Sequence, residues 1–393
     1  MSGRCPAAAG RGRADLPAAD GPLGRPPPTT EEPMPLPPAR VVRIVEGVRH
    51  ALLGLVRKLA PAPFSLLEMV QGAMLSQALY AAAELRVAEA LRDGPLPVAR
   101  LAEQVGAHPE TLHRLLRLLA ANGVFAERKD GSFALTPMAE ALLEDAPMSM
   151  RGIAVLMGHP VHWEDWSHFV DAVRSGEPSL PKLRGMTAFE FLEAKPEYGQ
   201  VFFKGMGAMS ATETEPVLAA YDFSRFGTVV DFCAGRGELL AGILRKSPGV
   251  RGILADPRVA ENGAAQYLEE QRVADRCEVV AADLFGPVPE GGDAYVLKHI
   301  VHDWPEEKAL RILRNVRAAM RPGGRLLLME MVVPDKPNAP HASKLVDLWL
   351  MLLVGGKERT AGQYARLLAE AGFRLERVVQ TAGAISVVEA SAR

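Results

Sequence analysis

The sequence predicts an α/β protein. Its expected core is a doubly wound, mixed sheet of seven strands that closes on an antiparallel hairpin, preceded by an α-helical dimerisation domain containing a winged-helix unit. Three observations predict this. From about Tyr221 onward, short apolar runs alternate with helical patterns, the order of a sheet wound on both faces. The last two runs, 374–379 and 385–389, are joined only by 380–384, which is too short for a parallel crossover, so they must pair antiparallel. Upstream, residues 65–94 are apolar or small on almost every helical face, and such a helix must be buried on several sides. In a unit this small the covering surface is expected from a second copy, hence a homodimer.

Size and charge narrow the function. At 393 residues with 48% hydrophobic content, the chain can bury a full core. Its 45 Lys and Arg are interspersed with 47 Asp and Glu, giving a net charge of -2 and no global attraction to nucleic acid or anionic membrane. Cys5, Cys233 and Cys277 are too few and too scattered for a disulfide framework or a zinc site, so no metal is expected. They suit a reducing compartment, and the expected location is cytoplasmic. The longest apolar run, 345–354, contains Asp347 and is about half the roughly 20 residues needed to span a membrane. No continuous apolar stretch at the N-terminus reads as a signal peptide.

Residues 1–38, rich in Pro, Ala, Gly and Arg, read as a disordered tail. Residues 39–150 read as a helical and winged-helix dimerisation domain. Its first helix, 40–60, interleaves Val41, Ile44, Val45, Val48, Leu52 and Val56 with Arg40, Arg43, Arg49, Arg57 and Lys58. It is expected to pack on its own domain or on a partner subunit; the second reading is peripheral contact with a membrane through 40–60. In the winged unit, helices 98–104 and 108–121 precede a hairpin turned at Lys129-Asp130-Gly131. The second helix is mostly leucine, so a structural role is expected and nucleic-acid binding is not. Residues 151–220 read as a helical linker whose Phe and Met stripe, Phe202 and Met206 included, is either core or a substrate lining. Residues 221–393 carry strands at 228–232, 252–255, 278–281, 294–298, 325–333, 374–379 and 385–389.

Chemistry gathers at the carboxyl ends of these strands, where open α/β sheets bind ligands. After the first strand, Gly235 and Gly237 let the backbone turn tightly and approach a ligand, with Asp231 at the strand end to hold an ammonium or order the loop. Leu240 stands where a dinucleotide fingerprint needs its third glycine. Asp256, 25 residues after Asp231, suits ribose hydroxyls, and Asp283 suits an adenine amine with Leu284 against the ring. His302 follows the fourth strand; a neutral imidazole takes a proton near pH 7 and needs a carboxylate on its other nitrogen. Glu330 and Glu358 are the candidates, while Asp303 is expected to cap the following helix.

The stretches VVDFCAGRGELL, AADLFGPVP, DAYVLKHIVHDWPEEKALRILRNV, RPGGRLLLMEMVVP and GGKERTAGQYARLLAEAGF resemble the plant-type, S-adenosylmethionine-dependent O-methyltransferases and their bacterial natural-product branch, over roughly 65–393. The resemblance implies S-adenosylmethionine as cofactor, S-adenosylhomocysteine as its product, a hydroxyl on a lipophilic or aromatic small molecule as methyl acceptor, and a homodimer. It also implies roles. His302 is the general base framed by Glu330 and Glu358. Asp256 is the ribose ligand, and Asp283 with Leu284 forms the adenine site. Lys298 and Ser210 contact the cofactor's amino-acid end. Phe202, Met206, Trp349 and Leu353 line the substrate pocket. Two departures stand out: relatives usually carry three glycines where this chain has Cys233-Ala234-Gly235, and Asp-Leu-Pro where it has Asp256-Pro257. They keep open a relative that hydroxylates or decarboxylates its substrate; a winged-helix regulator is the other class.

Overall fold

The structure, a computed structural model, describes residues 37–393. The tail expected over 1–38 therefore lies outside the described residues except for its last two. Two long helices open the fold: α1 (Ala39–Leu59) and α2 (Ala62–Glu84), separated by Pro61 and with Pro63 in the first turn of α2. No residue of α1 is buried, so it does not pack into its own domain as one reading expected. In α2 only Ala78, Ala82 and Ala83 are buried, whereas Phe64, Leu66, Met69, Val70 and Met74 are each more than half exposed. The expected burial on several sides thus holds, within this chain, for the second half of α2 and for the short helix Val87–Ala90 that follows it. Among the described residues no helix is long and apolar enough to cross a membrane.

The expected helices and hairpin follow: helices Val98–Val105 and Pro109–Ala121, then the antiparallel pair Phe125–Glu127 and Ser132–Leu135. A short third strand, Leu96–Pro97, joins the edge. Leu112, Leu116 and Leu119 turn inward with Phe125 and Phe133, so the leucine-rich helix feeds its own core. Five short helices between Arg151 and Ala194 lead into α3 (Pro196–Ala220).

The sheet has seven strands: β1 (Thr228–Phe232), β2 (Arg251–Ala255), β3 (Cys277–Val280), β4 (Ala294–Lys298), β5 (Arg325–Glu330), β6 (Phe373–Gln380) and β7 (Ser386–Ala392). Their order is β6-β7-β5-β4-β1-β2-β3, with β7 antiparallel to both neighbours and the others parallel. Alternation along each strand splits the core in two. Val229, Val296 and Leu327 meet the helix Glu238–Lys246 and the end of α3, while Val230, Tyr295 and Leu328 meet helices Glu306–Ala319 and Ala361–Glu370. The run expected as one strand over 325–333 breaks after Glu330. Val332–Val333 leaves the sheet and pairs in parallel with Arg359–Thr360. That small ladder carries Glu330 and Glu358 to one place, and α4 (Ser343–Leu353) fills the connection between them.

Candidate active site

His302 sits in a single 3-10 turn, Val301–Asp303, just past β4. Its Nδ1 lies 2.9 Å from Oε1 of Glu358 and 3.3 Å from Oε2 of Glu330. All three side chains are buried. With either glutamate ionised and accepting there, Nδ1 carries the imidazole proton and Nε2 keeps its lone pair. Glu330 is anchored through its other oxygen, which accepts the Val301 amide at 2.9 Å. The Glu358 amide donates to Asp347 of α4 at 2.8 Å. Burial lifts Glu330 to about 7, against the pull of the His302 charge, and lifts Glu358 to about 8, against that of His299.

The turn at Gly355-Gly356 clamps the histidine from the far side. Lys357 donates its amide to the His302 carbonyl at 2.9 Å. A Cβ on Gly356 would strike that same carbonyl, so no other residue lets the two segments approach so closely. Asp303 does not cap the helix Glu306–Ala319 as expected; Pro305 holds that position without a side-chain bond. Instead, Asp303 Oδ1 lies 3.5 Å from Nε2 of His302, and burial raises its carboxyl to about 6. Trp304 packs under the turn, against Phe189 and Phe285.

Three residues at this site carried no sequence signal of their own. Glu213 of α3, buried, accepts from Lys298 at 3.2 Å and meets His299 Nε2 at 2.7 Å. Burial pushes its carboxyl up, but His299 and Lys298 together outweigh burial and hold it below the ordinary range. His299 adopts φ +54, a strained backbone for a non-glycine residue, and its ring lies 5.0 Å from that of His302. Arg359, fully buried, donates to the carbonyls of Val301 and Lys357. Spacing held one clue: 202, 206, 210 and 213 share a face of α3, so Glu213 continues the stripe of Phe202, Met206 and Ser210.

The other candidates fall into two groups. Lys298 donates to Oγ of Ser210 at 2.6 Å, joining the end of β4 to α3. Asp256 accepts from the Gly235 amide at 3.0 Å, from Arg258 at 2.8 Å and from Asn262 at 3.3 Å, so it braces the glycine turn. Asp231 is buried in β1, and burial raises its carboxyl to about 7 against the pull of Lys298. Gly235 and Gly237 both take positive φ, +57 and +85, and a Cβ on Gly235 would meet no atom within 4 Å. Cys233 also takes positive φ, +61. Asp283 is exposed at the end of β3, accepting the Phe285 amide at 2.8 Å, with Leu284 half-buried beside it. On the opposite side Phe202, Met206, Trp349 and Leu353 all join one apolar cluster between α3 and α4.

The comparisons with known proteins agree along most of the chain. Residues 166–374 match the O-methyltransferase domain, and residues 67–145 match the O-methyltransferase dimerisation domain. The chain is 41% identical over 331 residues to the phenazine O-methyltransferase PhzM of Lysobacter antibioticus, covering 84% of this chain and 96% of that protein. The solved structure of the mitomycin 7-O-methyltransferase MmcR superposes with a TM-score of 0.78 at 40% identity, covering 86% of this chain and all of the other. That of CalO1, a methyltransferase in calicheamicin biosynthesis solved with S-adenosylhomocysteine bound, has a TM-score of 0.75 at 34% identity, covering 84% and 98%. With a two-carboxylate histidine at the mouth of a doubly wound sheet, inside the matched O-methyltransferase domain, the chain belongs to the O-methyltransferase family.

Proposed function

We propose that this protein transfers the methyl group of S-adenosylmethionine to a hydroxyl of a lipophilic, aromatic metabolite, with His302 as general base. The observation that carries this reading is the Nδ1 contact of His302 with Glu358, which leaves the Nε2 lone pair, 3.5 Å from Asp303 Oδ1, to accept the hydroxyl proton. Glu330 and Glu358 hold the ring and accept the charge it gains. The cofactor, when bound, supplies a methyl carbon on a sulfonium, so the protein's own work is largely alignment.

The residues present fit that cofactor. The Gly235 backbone borders open space, and the Asp256 carboxylate has lone pairs left beyond its loop contacts for ribose hydroxyls. Asp231, Gly237, Asp283, Leu284, Lys298 and Ser210 complete the proposed cofactor site. Phe202, Met206, Trp349 and Leu353 form the proposed substrate wall; their apolar character supports an aromatic metabolite, as does the similarity to a phenazine O-methyltransferase. In this reading residues 39–150 serve association, 151–220 line the substrate side and 221–393 hold the cofactor. The exposed apolar faces of α1 and α2 support a homodimer.

The test uses S-adenosylmethionine labelled on its methyl group, incubated with the protein and a panel of aromatic hydroxyl compounds. A labelled methyl ether is expected. Cofactor binding without label in any product would overturn the reading.

A further inference from the structure

Next to the proposed substrate wall lie two buried hydrogen-bond donors that nothing among the described residues uses. The first is on His162, which is 3% exposed. Trp166 donates its indole N–H to Nε2 of His162 at 2.9 Å. An indole nitrogen only donates, so Nε2 must be the unprotonated nitrogen and Nδ1 carries the hydrogen. Burial also keeps this ring neutral, lowering it to about 4. Its Nδ1 has no partner among the described residues. The second donor is Trp349 Nε1, on a side chain 9% exposed and equally unpartnered. The two rings touch edge to face, 5.5 Å between centres. Phe202 lies 6.5 Å from Trp349, and Met206 and Leu353 pack on the same cluster.

Buried donors are almost always paired, and an unpaired one is costly. Two on adjoining rings at the proposed substrate wall are suited to an acceptor supplied from outside the chain. We infer that His162 and Trp349 form a donor pair that recognises a hydrogen-bond acceptor on the substrate, a ring nitrogen or a carbonyl oxygen of a planar fused aromatic. This rests on the reading of Phe202, Met206, Trp349 and Leu353 as the substrate wall. It makes the pair a determinant of specificity, since a site built to bond a polar atom rejects the analogue that lacks it.

Calorimetric titration of the full chain, loaded with S-adenosylhomocysteine, tests this with three ligands of one skeleton: 1-hydroxyphenazine, 1-hydroxyanthraquinone and 1-hydroxyanthracene. The first offers ring nitrogens, the second carbonyl oxygens and the third neither. At least one of the first two is expected to bind about tenfold more tightly than 1-hydroxyanthracene, and that advantage should shrink to about twofold or less in Trp349→Phe or His162→Leu. Equal affinity for all three, or an advantage that survives in both variants, would overturn the inference. If neither variant folds, the wild-type series alone decides. Because binding is read without turnover, a protein that keeps the preference yet moves no methyl would count against the proposed function and leave this inference standing.

Discussion

His302 gains its orientation from carboxylates that are themselves displaced from their ordinary ionisation. Glu330 is raised from 4.5 to about 7, with burial as the main cause. In the unfolded chain that group loses its proton near its ordinary value. Between about pH 4.5 and about 7 the native state therefore holds a proton the unfolded state has shed, and stability falls as pH rises through that window. Glu330→Gln should flatten this slope, read as denaturation midpoints at pH 5 and pH 8; an unchanged slope would contradict the assignment. Legibility at this scale followed chemistry. His302, Glu330 and Glu358 could be read because a histidine with carboxylates at strand ends has a function to perform. Glu213 and His299 could not, because a glutamate inside an apolar helix looks like a surface residue until the fold brings it within 2.7 Å of a ring 86 positions away.

The elements were legible where periodicity and length decide them. β4 was read to the residue, and the terminal hairpin followed from its short loop. The break after Glu330 was not legible, because the run through Val333 is uniformly apolar and only pairing with Arg359–Thr360 diverts it. Two turns explain the sequence around the site. At Cys233 the backbone is left-handed, the conformation that favours glycine, and this chain bears a side chain there at a strain of about 1–2 kcal/mol. At Gly356 there is no such tolerance, since a Cβ would also come within 2.8 Å of the Asp303 backbone. Gly356→Ala should displace the His302 turn and cost about 100-fold in turnover, measured at saturating cofactor. A variant within about threefold of wild type would show that the clamp does not set the geometry.

At the scale of the whole molecule, α1 lies outside the family matches. The PhzM relative is matched over 96% of its length by 331 residues of this chain, and the dimerisation match begins at 67, after α1. Yet α1 exposes Val45 at 57%, Val48 at 55% and Leu52 at 57%, continuous in sequence with the exposed half of α2. Contiguous exposed apolar surface of this kind marks an association site. Its arginines left peripheral membrane contact as the second reading behind packing, and sequence alone does not show what covers an exposed helix face. Leu52→Asp is expected to shift a dimer toward monomer in sedimentation velocity while leaving the helical circular dichroism intact. An unchanged sedimentation coefficient at every concentration would remove α1 from the interface. Methyl transfer by this site turns on His302 as the base. The most direct measurement compares wild type and His302→Ala in transfer of labelled methyl from S-adenosylmethionine, together with S-adenosylhomocysteine affinity. Turnover should fall by about 100-fold or more with affinity nearly unchanged; equal rates in the two proteins would contradict it.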